Sequence, residues 1–168
     1  MSKVNIRTAV IGIGNMGSAH AKCIGSGAIR GMDLIAVCDL RPERLSWAEK
    51  ELPEARRFTD YRQLISSGDV DAVIIAVPHP MHSVIAEAAM RAGLDVLSEK
   101  PLDIRLSAAK RAVAVAKETG RVFAVMLNQR TDPIFQRARE LVRSGRLGEL
   151  KRSVWIITNW YRTQHYYD

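Results

Sequence analysis

The chain has 168 residues, 47% of them apolar and 26% charged, with a formal net charge of +7. This is the composition of a globular protein with room for one domain and the start of a second. No apolar run approaches the roughly 20 residues that cross a bilayer, so no membrane association is expected. The two cysteines, Cys23 and Cys38, form no metal-ligand pattern, which predicts no metal site. We expect both to be buried apolar side chains in a reducing, cytoplasmic compartment.

The basic excess lies entirely after residue 100. Residues 1–100 carry twelve basic and twelve acidic side chains, whereas residues 101–168 carry thirteen and six. The basic residues are spread over helical positions, and no RNA- or DNA-binding motif accompanies them. This pattern favours a solvated face, or a face that meets acidic protein, and nucleic acid is not an expected partner.

Short apolar runs alternate with amphipathic segments over the first 125 residues. Runs of this kind, rich in Val and Ile, are typical of strands buried on both faces of a parallel sheet. They are "TAVIGIG", "LIAVCDL", "DAVIIAVP", "LDVLS" and "VFAVML". The segments between them predict helices over 16–24, 81–92 and 106–118, the first with an apolar stripe of Met16, Ala19, His20, Cys23 and Ile24. The alternation predicts an α/β fold with a doubly wound, mostly parallel sheet.

The pattern changes beyond residue 127. A helix is predicted near 133–144, followed by a turn at "SGRLGEL". The segment "KRSVWIITNWYRTQHYYD" begins with the alternation of a strand and holds five of the seven Trp and Tyr residues. We therefore predict two domains, 1–127 and 128–168, the second being the beginning of an incomplete domain.

The motif "GIGNMG" has the spacing G-x-G-x-x-G, with a predicted strand before it and a predicted helix after it. Gly12 permits a tight turn, Gly14 lets the backbone approach a pyrophosphate, and Gly17 lets the helix pack closely on the strand. The amides at the helix start, including those of Asn15 and Met16, would then face the phosphates, aided by the helix dipole. The motif predicts a dinucleotide-binding loop.

An acidic residue, Asp39, ends the next predicted strand, 22 residues after Gly17. Its carboxylate can accept hydrogen bonds from a ribose 2′-hydroxyl and would repel a 2′-phosphate, which favours NAD over NADP. Arg41 and Arg44 are near enough in sequence to reach a phosphate, so NADP is also possible. A site for S-adenosylmethionine would fit the same pattern, as would a glycine turn followed by an incidental acid.

Two further motifs follow strands whose carboxyl ends meet at the same edge of the predicted sheet. In "AVPHPMH", Pro78 ends a strand, and His79 and His82 would either face the cofactor cleft or shape the start of a helix. In "SEKP", Lys100 would project into the cleft, where a desolvated amine can exchange protons near neutrality, and Glu99 could orient it or bind the nicotinamide ribose. A surface ion pair at a turn is a second interpretation of this motif.

"GIGNMG", Asp39, "VPHPMH" and "SEKP", in this order, resemble the glucose-fructose oxidoreductase, inositol dehydrogenase and rhizopine-catabolism (Gfo/Idh/MocA) family. The resemblance implies that Lys100 is the catalytic lysine that helps to move the substrate's hydroxyl proton. It also implies that Pro78, His82 and Glu99 lie in the cofactor pocket. Gln129 is a further cofactor-pocket position, since it falls where the chain in this family passes from the cofactor domain towards the substrate. His79 stands where the family usually has Asn.

By the same resemblance, the whole protein is expected to be an NAD(P)-dependent oxidoreductase. It would transfer hydride between a nicotinamide cofactor and a sugar, inositol or related polyol, and it would form a homo-oligomer. The family also supplies an Asp and a His from a second domain, and no such motif follows in this chain, so we expect a truncated or fragmentary protein. A dinucleotide-binding module without catalysis is therefore a further hypothesis.

Overall fold

Six parallel strands form one sheet in the first of two compact units, Met1–Leu127 and Asn128–Asp168. The computed structural model describes residues 5–158, 161, 163 and 164. The strands are β1 Ile6–Ile11, β2 Met32–Cys38, β3 Arg56–Phe58, β4 Ala72–Ile75, β5 Asp95–Ser98 and β6 Phe123–Val125. The helices are α1 Asn15–Gly25, α2 Pro42–Glu51, α3 Tyr61–Ile65, α4 His82–Arg91, α5 Leu106–Thr119 and, in the second unit, α6 Pro133–Arg143.

The strand order is β3-β2-β1-β4-β5-β6, and every neighbouring pair is parallel. Strands β2 and β3 lie on one side of β1, and strands β5 and β6 lie on the opposite side of β4. The point between β1 and β4 is where the winding reverses, and ligands of such sheets bind outside the carboxyl ends of the strands there. The predicted doubly wound α/β fold is confirmed.

The central strand β1 is buried on both faces, as its unbroken apolar run predicted. Ala9 and Ile11 belong to one hydrophobic cluster, together with Ile75 and Ile85, whereas Val10 belongs to the other, on the opposite face. All of these side chains are at most 2% exposed. Fully burying one such aliphatic side chain contributes about 1.5–3 kcal/mol, so the middle of the sheet is a rigid base for the loops that leave it.

Helix α1 buries a face that overlaps the predicted one only at Ile24. Its buried residues are Gly17, Ala21 and Ile24, while Met16 is 53% exposed and Cys23 is exposed, so the predicted burial of Ile24 is confirmed and that of Met16 and Cys23 is wrong. The reason is the close approach of Gly17 to the turn after β1, which fixes the rotation of the helix. The predicted burial of Cys38, in β2, is confirmed.

The second unit contains the predicted helix, α6, which begins beside Pro133 with the Asp132 carboxylate accepting the Ile134 N–H at 2.8 Å. Within this unit the Phe135 and Trp155 rings stack with centroids 5.2 Å apart. Residues 151–158 form no strand, so the strand predicted at the start of this segment is wrong. The described part of the second unit, 128–158, offers no other strand to pair with it, and a lone strand leaves its N–H and C=O groups unsatisfied.

Much of the aromatic tail after residue 158 lies outside the described residues. Among the described residues, none of the helices is long and apolar enough to cross a membrane.

Candidate functional site: the carboxyl edge of the sheet

The loop between β1 and α1 is shaped by two glycines that admit no side chain. Gly12 has φ +85° and donates its N–H to the Cys38 carbonyl at 2.7 Å; a Cβ on it would lie 2.6 Å from the carbonyl oxygen of Ala76. A Cβ on Gly17 would lie 1.7 Å from the Gly12 carbonyl oxygen. These two glycines therefore close the turn against the end of β4 and against the first turn of α1.

Gly14 is different, because nothing in the protein requires it to lack a side chain. A Cβ there would meet only the Arg41 guanidinium, at 3.7 Å, and the backbone has an ordinary φ of −68°. Gly14 is the N-cap of α1, no side chain caps this end of the helix, and its first turn holds no acidic residue. Asn15 and Met16 begin the helix with exposed side chains. The free N–H groups and the open space at Gly14 fit a phosphate group.

Asp39 follows β2 and is only 9% exposed. One carboxylate oxygen accepts the Ile13 N–H at 2.9 Å, and the other accepts the backbone N–H of Arg41 at 3.0 Å and its Nε–H at 3.2 Å. Burial raises the pKa of Asp39, but the hydrogen bonds from Arg41 and Ile13 outweigh it and hold the pKa below its usual value of 3.8. The ionised carboxylate thus stabilises the glycine loop through the Ile13 N–H and pairs with the Arg41 guanidinium.

Arg41, rather than Arg44, is the cation beside this carboxylate. The Arg41 side chain is about half exposed, and it lies between Asp39 and the open space at Gly14. Arg44 lies in the first turn of α2 and is half-buried. The sequence offered both residues as able to reach a phosphate and predicted Arg44 as the cofactor-binding one, a role that stays a prediction.

The loop after β4 places its two histidines in unlike environments. Pro78 and His79 are exposed at the carboxyl edge of the sheet. His82, in contrast, is 1% exposed, and its ring nitrogens lie 2.7 Å from the carbonyl oxygens of Val77 and Pro101. His79 thus has a ring accessible to a ligand, whereas the polar atoms of His82 are turned towards backbone groups of the protein itself.

The residues of "SEKP" follow β5 at the same edge. Glu99 donates its N–H to the Ile75 carbonyl at 2.8 Å, and its side chain is buried, with one oxygen 2.8 Å from His20 Nε2. The other oxygen accepts the Lys100 N–H at 3.1 Å. The Lys100 side chain is exposed, and the bond between Lys100 and Pro101 is cis.

The first unit therefore gathers the predicted residues from four loops at one edge. Gly12 packs against the end of β4, Asp39 supports the glycine loop, and Glu99 is hydrogen-bonded to the end of β4 and to α1. Gln129 belongs to the second unit, in the 3-10 turn Asn128–Arg130, and its role in cofactor binding stays a prediction. Sequence reasoning missed His20, whose only signal was a polar residue within an apolar helical stripe.

The parallel sheet, its reversal point, the glycine loop and the acid after β2 define a dinucleotide-binding α/β domain of the Rossmann type. Residues 6–127 match the family model GFO_IDH_MocA, described as "Oxidoreductase family, NAD-binding Rossmann fold". The chain belongs to this family, so the resemblance suggested by its motifs is confirmed.

Relatives with known names include inositol 2-dehydrogenases from Acidothermus cellulolyticus and Corynebacterium glutamicum. The first is 36% identical over 145 residues, which cover 86% of this chain and 42% of that protein. The second is 34% identical over 151 residues, which cover 89% of this chain and 44% of that protein. The chain thus spans less than half the length of these relatives.

Solved structures give the same result. The scyllo-inositol dehydrogenase from Lactobacillus casei, with bound NAD(H) and scyllo-inositol, matches with a TM-score of 0.81 and 31% identity, over 86% of this chain and 43% of that one. The WlbA dehydrogenase from Bordetella pertussis, in complex with NADH and UDP-GlcNAcA, matches with a TM-score of 0.77 and 31% identity, over 86% and 43%. Dehydrogenases with different molecules bound beside NAD(H) thus share the fold of this chain.

Proposed function

We propose that this chain is the cofactor-binding part of an NAD-dependent dehydrogenase that acts on a CH–OH group of inositol, a sugar or a related polyol. The observation that carries the proposal is the uncapped start of α1 at Gly14, with the ionised Asp39 carboxylate directly behind the loop. A pyrophosphate would accept hydrogen bonds from the free amides. The ribose of the same nucleotide would reach the acid, since the two features share one edge of the sheet.

The Asp39 carboxylate and the Arg41 guanidinium beside it favour NAD as the cofactor and leave some affinity for NADP. The carboxylate oxygen that contacts Arg41 accepts two hydrogen bonds, both from this half-exposed residue. A ribose diol could therefore share that oxygen with Arg41. A 2′-phosphate would be repelled by the carboxylate and attracted by the guanidinium. We infer that NADH binds more tightly than NADPH. The difference in affinity should be smaller than in a protein that has the acid without the neighbouring arginine.

Lys100 is the residue to which we assign the substrate's proton. Its side chain is exposed at the carboxyl edge, two residues beyond the end of β5. The neighbouring Glu99 is held through its side chain by His20 and through its backbone N–H by Ile75. An ammonium there could donate a hydrogen bond to a substrate hydroxyl, and an amine could take its proton. Bound NAD⁺ supplies the acceptor for the hydride.

Inositol leads the proposed substrates because relatives that match most of this chain are named inositol dehydrogenases. The Bordetella pertussis neighbour has a sugar nucleotide in its complex, so the fold alone does not select a cyclitol. The shared chemistry is a secondary alcohol on a six-membered ring, presented to the edge that carries Lys100.

Calorimetric titration of the purified chain with NADH, NADPH and S-adenosylmethionine tests cofactor binding. We expect saturable binding of NADH that Asp39→Ala weakens by about tenfold or more, a loss of at least about 1.4 kcal/mol. Lys22→Ala is the matched control, since Lys22 lies in the last turn of α1 and pairs with Glu51 on the surface. Binding of S-adenosylmethionine instead of NADH would reject the dehydrogenase proposal.

Turnover separates the enzyme from the dinucleotide-binding module. NADH formation from NAD⁺ and myo- or scyllo-inositol would be followed with this chain, and with this chain joined to the remaining length of a dehydrogenase relative. We expect the joined protein to turn over and Lys100→Ala to abolish turnover without weakening NADH binding. Undiminished turnover in Lys100→Ala would refute the role of the lysine, and binding without any turnover in both proteins would favour the module.

We also propose self-association, for which the second unit supplies the support. Ile134, Trp155 and Ile156 are 62–78% exposed there, and exposed apolar surface of this kind favours a protein partner. Light scattering across a range of concentrations gives the molar mass. A constant mass near 18.7 kDa would rule out self-association of this chain.

A further inference from the structure

The residues on both sides of Lys100 are each held by a histidine from a helix. Glu99, before it, contacts His20 in the middle of α1, and Pro101, after it, contacts His82 at the start of α4. The two helices follow β1 and β4, the strands on either side of the reversal point. The arrangement therefore ties the segment that carries the lysine to the two loops closest to the predicted cofactor.

The contact from α1 is a polar chain of two bonds. His20 Nε2 lies 2.8 Å from one oxygen of Glu99, and the other oxygen accepts the Lys100 N–H at 3.1 Å. The Glu99 side chain is 8% exposed and the His20 side chain 19%, so water competes little for these groups. An ionised Glu99 can only accept, so the histidine nitrogen that faces it donates.

The contact from α4 uses both ring nitrogens of one buried side chain. His82 Nδ1 lies 2.7 Å from the Pro101 carbonyl oxygen, and Nε2 lies 2.7 Å from the Val77 carbonyl oxygen. A neutral imidazole has a single N–H and can bond one of these oxygens, whereas the doubly protonated ring donates to both. The ring thus spans the ends of β4 and β5, and an apolar side chain of the same size would leave the carbonyl that accepts the ring N–H without its donor.

We propose that His20 and His82 are positioning residues that together fix the backbone of Lys100 at the cofactor edge. The proposal rests on the function proposed above, since a fixed position of Lys100 matters only if the lysine takes part in the reaction. A lysine side chain has four rotatable bonds, so its backbone must be fixed if its amine is to meet a substrate held by other groups. Because His20 belongs to the helix that begins at the glycine loop, the position of the lysine is coupled to the phosphate site.

The test uses the chain labelled with ¹⁵N and ¹³C, with hydrogen exchange of the Lys100 amide as the readout. His20→Ala frees the Glu99 carboxylate, and we expect the Lys100 amide to exchange about tenfold faster, the effect of losing one hydrogen bond to a charged group. His20→Gln keeps a nitrogen donor near the position of Nε2 and should restore the wild-type rate to within about twofold. Lys22→Ala, at an exposed position of the same helix, is the matched control and should leave the rate unchanged.

For His82, the readouts are the carbonyl ¹³C signals of Val77 and Pro101. We expect the signal of the carbonyl that accepts the ring N–H to move upfield in His82→Leu. A positioning role requires this to be the Pro101 signal, which should remain near its wild-type position in His82→Gln. The wild-type protein supplies a measurement that no folding defect can obscure, namely a slowly exchanging Nδ1–H of His82, the group that faces Pro101. Absence of that N–H, or an unchanged Pro101 signal in folded His82→Leu, would overturn the role of His82.

Equal exchange rates of the Lys100 amide in wild type, His20→Ala and His20→Gln would overturn the role of His20. NADH titration of the same samples keeps this result apart from the function proposed above. Failure of the wild-type chain to bind NADH would count against that function alone, because the exchange and carbonyl measurements need no cofactor. Faster exchange in His20→Ala with restoration in His20→Gln supports a positioning role, since mere loss of packing would not be repaired by one donor.

Discussion

The Asp39 carboxylate accepts a hydrogen bond from the backbone N–H of Ile13, with 2.9 Å between nitrogen and oxygen. The two residues belong to different strand-to-helix connections, and the bond makes the acid a support of the glycine loop. Asp39 thus has a structural task in the free protein in addition to the ribose contact that its position predicts. Variants at this residue should therefore change stability and cofactor affinity together.

Stability should depend on pH through Asp39. Its pKa is lowered in the folded protein, so the ionised form stabilises the native state fully above the ordinary value of 3.8. That contribution is lost as the pH falls through the lower folded value. We expect Asp39→Asn to be about 1–3 kcal/mol less stable than wild type at pH 7, with a gap that narrows below pH 3.8.

Urea unfolding of both proteins at pH 7, 5 and 3 measures this gap. Glu54→Gln, at an exposed position, is the control and should match wild type at each pH. A gap between Asp39→Asn and wild type that stayed constant down to pH 3 would show that the charge of Asp39 is not the source of the effect.

Gly14→Ala and Gly17→Ala should separate cofactor binding from folding. A methyl group at Gly14 meets nothing closer than 3.7 Å, so its free energy of unfolding should stay within about 0.5 kcal/mol of wild type. NADH affinity should fall by about tenfold or more, because the methyl group occupies the space proposed for the pyrophosphate. Gly17→Ala should lose about 3 kcal/mol or more, because its methyl group would overlap the Gly12 carbonyl oxygen.

The pair is measured by urea unfolding and by NADH titration of the folded variant. Wild-type NADH affinity in Gly14→Ala would show that no phosphate group comes close to this residue. Wild-type stability in Gly17→Ala would mean that α1 can shift away from the turn.

Arg41→Ala should sharpen the preference for NADH. The guanidinium is the cation beside Asp39, so its removal should weaken NADPH binding by about tenfold and leave NADH affinity equal or higher. Calorimetry with both cofactors gives the ratio of dissociation constants. The same experiment on Arg44→Ala is the comparison: a larger loss of NADPH affinity there would assign the phosphate contact to Arg44 and contradict the role given to Arg41.

The two thiols should differ sharply in reactivity. Burial, and then the nearby Asp39 and Asp60 carboxylates, raise the pKa of the Cys38 thiol to about 12, whereas Cys23 is exposed on α1. Because the thiolate is the reactive form, Cys38 should be inert at pH 8. Ellman's reagent should titrate one thiol in the folded protein and two in urea. Cys23→Ser should leave none in the folded state, and rapid reaction of that variant would contradict the burial of Cys38.

The sequence predicted the strands best where both faces are buried. The apolar runs that correspond to β1, β2, β4, β5 and β6 were all recognisable, most clearly β4, in the middle of the sheet, whose four residues are all apolar. The short strand β3, Arg56–Phe58, was not, since two of its three residues are exposed arginines. The end of α5 was predicted within one residue, because Gly120 takes the left-handed conformation that ends helices.

The residues of the site also fall into those that the sequence could predict and those that it could not. The glycine loop, Asp39 and the residues after β5 could be predicted from spacing, since each belongs to a local motif. His20 could not, because its partner Glu99 lies 79 residues away and only the fold brings them together. The rotation of α1 was likewise hidden, since it depends on the close approach of Gly17 to Gly12 rather than on a hydrophobic stripe.

The contact between α1 and Glu99 also has a consequence for biosynthesis. Translation at about 5–20 residues per second delivers Glu99 roughly 4–16 s after His20. Until then β4 lacks its neighbour β5, and the early α/β elements must wait for a partner of long sequence separation, which slows folding. A nascent chain that ends before β5 has the glycine loop without the lysine and without the bond that holds Glu99 to α1. The contact between His20 and Glu99 can therefore form only after the fifth strand has left the ribosome.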